Sequence, residues 1–206
     1  MTKLPRLYAI IDAERLSPGM TVAAFATELI AGGARLLQYR NKTQSGKTLL
    51  ADAAMLKAAA EGHPEVRLIM NDRADLCIAA HFNGVHLGQD DLSPAGARVL
   101  CKPPMLVGLS THKVAQVRAG DQEPVDYIAI GPVFATGSKM NPDPVVGLEG
   151  VRAARKLTGK PLVAIGGITR ENCRSVMEAG ADSVAVISGL LADPRKTTEE
   201  FIRVLG

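Results

Sequence analysis

Eight short apolar runs recur along this chain, each separated from the next by enough residues to hold a helix. The intervals are roughly 15 to 35 residues, and parallel strands need a crossover of about a dozen or more residues between them. The runs cover residues 7–11, 35–39, 67–70, 84–87, 105–109, 127–130, 162–165 and 183–187. This repetition constrains the fold more than any other feature, because it predicts eight parallel strands joined by helices.

Helix-forming stretches lie between several of these runs. We predict helices over 21–31, 49–60, 151–157 and 171–179, where Ala and other good helix formers dominate. Thr169 stands where the N-cap of the last helix is expected, and Gly180 stands where that helix should end.

Eight strand–helix alternations in 206 residues predict an α/β fold, a closed parallel (β/α)8 or TIM barrel. An open doubly wound sheet needs only about five or six strands and leaves the others unexplained. Aromatic residues make up only 3% of the chain, which suits strands buried on both faces by aliphatic side chains. No linker or change of composition divides the chain, so we predict a single barrel domain over 1–206.

Charge and composition exclude several classes of function. The net charge is only +3 and no tract of Lys and Arg occurs, so we expect no nucleic-acid partner. No apolar run reaches the roughly 18 residues of a membrane span, and the start of the sequence does not look like a signal peptide. Cys77, Cys101 and Cys173 are odd in number and form no CxxC motif. We therefore expect reduced thiols in a cytoplasmic protein. The sequence leaves open whether the chain forms a homo-oligomer.

Polar residues follow the predicted strands at the end where such barrels carry their active sites. Arg40 and Lys42 follow the second run, and Lys139 lies in a later loop directed to the same rim. A single lysine or arginine at such a place is usually a solvated surface charge. Three cations on one rim favour an anionic substrate with several charges.

Acidic residues end two neighbouring strands. Asp72 follows the third run, and Asp90 and Asp91 follow the fourth. Carboxylates with open positions beside them are typical ligands of Mg²⁺ that also holds substrate phosphates. Two alternatives stay open from the residues alone. Asp90 rather than Asp91 is one candidate ligand, and an N-cap for a helix beginning at Arg73 is a competing role for Asp72.

Glycine-rich turns follow the last two strands. Gly166 and Gly167 open a helix after the seventh run, and Ser188 with Gly189 repeats the arrangement after the eighth. Glycines let a phosphate approach backbone N–H groups, and this pair of loops is the usual phosphate site of (β/α)8 barrels. The stretch 131–139 (GPVFATGSK) fails the Walker pattern, because Lys follows Ser instead of preceding it. His86 is interpreted as a packed, hydrogen-bonded residue.

Seven motifs at these strand ends resemble the thiamine phosphate synthase family, in the same order and over nearly the whole chain. They are QYRNK at 38–42, ND at 71–72, GVHLGQDD at 84–91, GLSTH at 108–112, GPVFATGSK at 131–139, AIGGIT at 164–169 and AVISGL at 185–190. The resemblance implies an enzyme that condenses hydroxymethylpyrimidine diphosphate with thiazole phosphate, giving thiamine phosphate and diphosphate. The resemblance also implies a route through a pyrimidinyl-methyl cation after diphosphate leaves.

The resemblance also implies roles for individual residues. Asp72 and Asp91 match the family's Mg²⁺ ligands. The predicted diphosphate contacts are Arg40, Lys42, Asn71 and Lys139; Gln38 and Ser110 match positions around the pyrimidine and its diphosphate; and Thr136, Ser138, Gly167, Ile187 and Ser188 match the thiazole phosphate site. Tyr39 and Asn41, in the same motif as Gln38, are predicted to contact substrate. Asn41 stands where an acid is commoner, and Ser138 replaces the usual Thr but keeps its hydroxyl. We expect 132–144 to close over the substrates.

Three other readings compete with this one. A sister family of thiazole tautomerases shares the barrel and uses a His at the place of His112, but lacks the paired acids and Lys42. A catalytically inactive barrel that binds thiamine phosphates has no need of a cage for a diphosphate leaving group. A generic phosphosugar barrel accounts for 166–169 and Ser188 but leaves QYRNK and ND unexplained.

Overall fold

The computed structural model describes residues 3–137 and 143–206 and contains the predicted closed barrel. Eight parallel strands pair in sequence order, and β8 closes the circle by pairing with β1. The strands are β1 (Leu7–Asp12), β2 (Leu36–Arg40), β3 (Arg67–Asn71), β4 (Gly84–Leu87), β5 (Leu106–Thr111), β6 (Tyr127–Ile130), β7 (Leu162–Ile165) and β8 (Ser183–Val186). The fold class predicted from the apolar runs is confirmed.

A helix follows every strand and covers the outside of the barrel. The helices are α1 (Val22–Ala31), α2 (Gly46–Ala59), α3 (Ala74–Ala79), α4 (Pro94–Leu100), α5 (Val114–Asp121), α6 (Gly147–Arg155), α7 (Cys173–Glu178) and α8 (Pro194–Leu205). Side-chain oxygens cap several of them; Thr21 accepts from the Ala24 amide and Ser45 from the Thr48 amide. In the described residues, no helix combines the length and the apolarity needed to cross a membrane.

One prediction about a helix start is wrong, and one alternative that was left open is excluded. Asn172, not Thr169, is the residue that precedes α7, and Thr169 lies in the turn before it, where its amide donates to Asn172 Oδ1. Asp72 does not cap α3, because Arg73 stands between Asp72 and the helix and no side-chain oxygen caps this end.

Successive residues of each strand point to opposite faces of the barrel wall. The inner face carries a small apolar cluster, which includes Leu4, Ile10, Leu36, Ile69, Leu106 and Val163. The outer face packs on the helices in a larger cluster, where Ile11, Leu37 and Val107 meet side chains such as Phe25, Leu29 and Leu56. This alternation decides which strand-end residues reach the cavity at the carboxyl end of the barrel.

Candidate active site

A cavity of about 470 Å³ opens at the carboxyl ends of the strands. Eleven of the fifteen predicted site residues line it: Gln38, Arg40, Lys42, Asn71, Asp72, Asp91, Ser110, Thr136, Gly167, Ile187 and Ser188. A larger cleft, of about 750 Å³, lies at the opposite end of the barrel and contains none of the predicted residues. The predicted groups therefore come together at one mouth.

Two predicted residues lie away from the cavity. Tyr39 occupies the outer face of β2, is 2% exposed, and its hydroxyl donates to Asp52 of α2 at 2.5 Å. The Asn41 amide lies against that same hydroxyl, 3.4 Å away. The reason is the alternation along β2, because Gln38 and Arg40 face the barrel interior and Tyr39 between them must face the helices.

Part of the loop after β6 lies outside the described residues. Ser138 and Lys139 belong to that part, and so does the middle of the segment 132–144 that is predicted to close over substrate. Thr136, which precedes it, lines the cavity. The predictions for Ser138, Lys139 and loop closure stay predictions.

Lys42, Asp72 and Asp91 form a charged cluster on one side of the mouth. Lys42 Nζ lies 3.1 Å from Asp72 Oδ2, and the Asp91 carboxyl is within hydrogen-bonding reach of the Asp72 carboxyl. Asp72 has a φ of +62°, a left-handed conformation that non-glycine residues rarely adopt and that is enriched at functional sites. Asp72 lies in a tight backbone turn, in which the Arg73 amide donates to the Asn71 carbonyl oxygen at 2.7 Å and the Asp72 amide donates to the His86 carbonyl oxygen at 2.8 Å.

Asp91, not its neighbour, faces the other acid. Asp90 is exposed, whereas Asp91 is partly buried and Asp91 Oδ2 accepts from the Gly88 amide at 2.6 Å. Burial first, and then the facing Asp72 carboxyl, raise the pKa of Asp91 above its ordinary value. Two carboxylates this close repel each other when ionised, and a cation between them would relieve the repulsion.

The donor set fits Mg²⁺ better than a metal that needs many protein ligands. Within residues 3–137 and 143–206 there is no group of three or more His, Cys, Asp or Glu side chains that could hold a metal ion. Mg²⁺ usually takes one or two carboxylates and completes its shell with water and substrate phosphates. Asp72 and Asp91 supply that number of carboxylates.

Arg40 is held by a buried acid that the sequence analysis missed. Arg40 Nη1 donates to Asp12 Oδ2 at 2.7 Å, and Asp12 is only 1% exposed. The other oxygen, Asp12 Oδ1, is buried and accepts no hydrogen bond from the described residues. Asp12 directly follows the first apolar run, so the strand-end rule could have found it if applied to that run as well.

The turn after β7 has a backbone that only glycine accommodates easily. Gly166 and Gly167 have φ values of +101° and +62°. A Cβ on Gly167 would lie 2.6 Å from the Ala135 carbonyl oxygen, and one on Gly166 would lie 2.5 Å from Pro132 Cβ. The loops after β6 and β7 are therefore in close contact, with their backbones exposed to the cavity mouth.

Polar side chains fill the floor of the cavity. Tyr8, Gln38, His86 and Tyr127 are buried in the barrel interior, and Ser110 is half-buried beside them. Burial lowers the pKa of His86 to about 4 and raises the pKa of both tyrosines. His86 is thus hydrogen-bonded and packed, as predicted, and it is neutral at physiological pH.

His112 lies at the end of β5 and lines the cavity. Its Nδ1 lies 2.8 Å from the Gly131 carbonyl oxygen and 3.4 Å from Asp143 Oδ2. A ring nitrogen next to a carbonyl oxygen must carry hydrogen, so Nδ1 is a donor here. The position of His112 agrees with both the synthase and the tautomerase reading, whereas the Lys42, Asp72 and Asp91 cluster distinguishes them.

Comparisons with known proteins agree with this geometry. The sequence model of the family described as "Thiamine monophosphate synthase" matches residues 7–190. The chain is 62% identical over 206 residues to the thiamine-phosphate synthase of Koribacter versatilis, covering 98% of this chain and 97% of that protein. It is 39% identical over 188 residues to that of Methanospirillum hungatei, covering 91% and 90%. The solved structure of thiamine phosphate pyrophosphorylase from Pyrococcus furiosus superposes with a TM-score of 0.86 at 30% identity, covering 97% and 95%.

Proposed function

This chain belongs to the thiamine monophosphate synthase family, and we propose how its described residues divide the work of that reaction. The enzyme is a transferase of thiamine biosynthesis that joins hydroxymethylpyrimidine diphosphate to thiazole phosphate and releases diphosphate. The observation that carries the assignment of residues is one shared cavity. The charged cluster and Arg40 line one side of it, and the glycine turn after β7 lines the other.

We infer that the charged side holds the diphosphate. Arg40, Lys42 and Asn71 are placed to neutralise and bind its oxygens, and Lys139 joins them in the proposal. The carbon–oxygen bond to diphosphate breaks with both electrons leaving on oxygen, so cations at this rim stabilise the growing charge. Mg²⁺ held by Asp72 and Asp91 would supply further neutralisation of that charge when bound. The family is consistent with a divalent-metal requirement, and Mg²⁺ itself is our proposal.

The two organic groups lie between the charged side and the glycine turn. We infer that Gln38 and Ser110 contact the pyrimidine and its diphosphate. The backbone of Gly167, with Thr136, Ser138, Ile187 and Ser188, holds the thiazole phosphate. The lone pair of the thiazole nitrogen then forms the new bond to the pyrimidine methylene carbon, so no general base is needed. We leave Tyr39 and Asn41 out of the binding set because they do not line the cavity.

Diphosphate release tests the function. The purified chain, incubated with both substrates and Mg²⁺, is expected to release one diphosphate per thiamine phosphate formed. Release with the pyrimidine substrate alone, or none with both, would contradict the condensation; binding without release would favour the inactive binder. A chain that instead isomerises a thiazole phosphate in the absence of the pyrimidine would support the tautomerase reading.

The metal assignment has its own test. Asp72→Ala is expected to abolish Mg²⁺-dependent coupling, measured as diphosphate release over a Mg²⁺ titration. Undiminished activity of that variant would remove Asp72 from the metal site.

A substituent series on the substrate tests the cationic route. Electron-withdrawing groups on the pyrimidine methyl are expected to slow turnover strongly if positive charge develops at the methylene carbon, whereas a flat series would indicate direct displacement.

Three wider statements belong to the same proposal. Residues 1–206 act as one barrel domain, the substrates are phosphorylated small molecules, and the enzyme works in the cytoplasm, with a homo-oligomer compatible with this. A carboxylated thiazole phosphate is an alternative second substrate, and comparing KM for the two thiazoles decides between them.

A further inference from the structure

Five polar side chains form one continuous hydrogen-bonded chain across the cavity floor. Its order is Gln38, Tyr8, Tyr127, His86, Ser110, with separations of 2.9, 2.9, 3.0 and 2.8 Å between successive polar atoms. The two ends are residues that we assign to the pyrimidine and its diphosphate. The three middle residues have no role in that assignment, although burying three polar groups is costly unless each is satisfied.

The direction of this chain is inferred from the hydrogens that each group can donate. Gln38 Nε2 donates to Tyr8 Oη. Tyr8 has a single hydroxyl hydrogen, and Tyr127 Oη, 2.9 Å away, is in place to accept it. Either tyrosine hydroxyl can donate across this contact. We infer that Tyr8 donates to Tyr127, which leaves the Tyr127 hydrogen for His86 Nδ1, 3.0 Å away.

The tautomer of His86 determines which atom donates in its hydrogen bond with Ser110. A neutral imidazole that accepts at Nδ1 carries its hydrogen on Nε2, and burial keeps His86 neutral because it lowers the pKa to about 4. His86 Nε2 then donates to Ser110 Oγ, which lies 2.8 Å away. The hydroxyl hydrogen of Ser110 is left to point elsewhere, and Ser110 lines the cavity.

We propose that Tyr8, Tyr127 and His86 are positioning residues that fix the hydrogen-bond direction of Gln38 and Ser110 toward the pyrimidine diphosphate. Ser110 is held as an O–H donor, which suits an anionic diphosphate oxygen. Gln38 donates one Nε2 hydrogen to Tyr8 and keeps Oε1 as an acceptor, which suits the amino group of an aminopyrimidine. The identity of this ligand rests on the proposed function, whereas the direction of the chain does not.

Packing around the chain holds the rings in place. The Tyr127 ring lies against Gly108, where an added Cβ would come within 2.1 Å of the ring Cζ. The His86 and Tyr127 rings are stacked with centroids 5.5 Å apart, and Tyr8 meets Tyr127 edge-on at 6.0 Å. Rings packed in this way cannot easily turn to form other hydrogen bonds.

One alternative arrangement competes with this direction. If Gln38 presented Oε1 to Tyr8, every hydrogen bond of the chain would reverse, and His86 would carry its hydrogen on Nδ1. Ser110 would then donate to His86 and offer only lone pairs to a diphosphate, which would repel it. The two arrangements differ in the tautomer of His86, and this difference can be measured without any substrate.

The first experiment is nitrogen NMR of the wild-type chain labelled at histidine. The chain contains four histidines, and the spectrum of His86→Gln identifies the signals of His86 by their absence. We expect a neutral His86 with hydrogen on Nε2 and an accepting Nδ1. Hydrogen on Nδ1 would overturn the proposal. The tautomer does not depend on catalysis, so this result stands even if the chain releases no diphosphate. A lack of diphosphate release would contradict the proposed function and not the direction of the hydrogen-bonded chain.

The second experiment compares two buried hydroxyls on opposite faces of the barrel wall. Tyr127→Phe breaks the chain between Tyr8 and His86. Thr111→Val is the matched control, because Thr111 is 1% exposed and its hydroxyl donates to the Ala129 carbonyl oxygen, outside the chain.

For Tyr127→Phe we expect kcat/KM for the pyrimidine diphosphate to fall about 10- to 100-fold, because a misdirected donor leaves a polar substrate group unpaired. KM for the thiazole phosphate should change less than about twofold, and His86 should lose its single tautomer. Thr111→Val should keep the wild-type kcat/KM for the pyrimidine diphosphate, the wild-type KM for the thiazole phosphate and the single tautomer of His86. Equal kinetics and tautomer for the two variants would overturn the proposal, and if Tyr127→Phe fails to fold, the wild-type tautomer still decides.

Discussion

The two halves of the cavity mouth present different groups to an anionic ligand. On the side of β2 to β4, charge is carried by side chains, with Arg40 and Lys42 each paired to an acid at 2.7 and 3.1 Å. Among the described residues that follow β7 and β8 and line the cavity, none is charged, and the backbone of Gly166 and Gly167 is presented instead. In the proposed function, the charge that grows on the leaving diphosphate meets charged side chains, whereas the phosphate that only has to be held relies on backbone N–H groups.

The largest effect is expected on the charged half. Asp91→Asn should lower kcat for diphosphate release by about 100- to 1,000-fold, because the variant leaves one of the two facing carboxylates uncharged where the leaving group must be stabilised. Steady-state release at saturating substrates and Mg²⁺ measures it. Asp90→Asn, at the exposed neighbour, is the matched control and should stay near the wild-type rate. The reverse ranking of these two variants would make Asp90 the ligand.

A pH experiment tests the uncharged floor that both halves share. The pKa of His86 is about 4 in the folded chain and about 6.5 when unfolded. Between these values the unfolded state binds the extra proton and the folded state does not, so stability falls as pH falls through this window. The loss between pH 7 and 5 should be about 2 kcal/mol, measured by urea unfolding. His86→Gln should remove this part of the dependence of the free energy of unfolding on pH. An unchanged dependence in the variant would mean that His86 binds the proton equally well in the folded and unfolded chains.

A smaller effect is expected on the backbone half. Gly167→Ala should raise KM for the thiazole phosphate about 10-fold, because a side chain is strained at φ +62° and meets the Ala135 carbonyl oxygen at 2.6 Å. KM for the pyrimidine diphosphate should change little. Gly159→Ala is the control, since nothing lies within 4 Å of its added Cβ. If Gly167→Ala affected both substrates equally, the two halves would not be separate binding regions.

The smallest effect is expected just outside the charged half. Tyr39→Phe should leave both KM values and kcat within about twofold of wild type, because the hydroxyl meets Asp52 on the helix side of the wall. It should cost about 1 kcal/mol of stability for the lost hydrogen bond, measured by thermal or urea unfolding. A tenfold rise in either KM would return Tyr39 to the binding set that its motif predicts.

Strand positions were predictable because buried parallel strands leave continuous apolar runs. β4, β6 and β7 have the predicted bounds, and the other strands differ by one or two residues. Helix ends were less predictable, since caps such as Ser45 lie outside the periodic stretch; α2 begins at Gly46, three residues before the predicted start. Propensity identifies a helix well but places its first turn poorly.

The site was predictable where polar residues follow a run, and much less so inside one. Arg40, Asp72 and Asp91 come directly or shortly after predicted runs, and the structure places all three at the cavity. Tyr8 and Tyr127 lie inside apolar runs and read as core residues, because their hydroxyl partners come from different strands far apart in sequence. Tyr39 is predicted to contact substrate because a motif gives neighbouring residues one role, but the structure places it on the helix side of the wall because a strand gives neighbouring residues opposite faces.

The closed floor of the cavity also determines the order in which substrates can bind and products can leave. Tyr8 and Tyr127 fill the bore below the cavity, and Leu36 and Leu106 seal it further down. Both substrates must therefore enter, and both products must leave, through the cavity mouth at the carboxyl ends of the strands. The substrate whose site lies deeper must bind first, and the product that occupies that site must dissociate last. We therefore expect ordered binding and release, in which a bound product prevents the next substrate from binding.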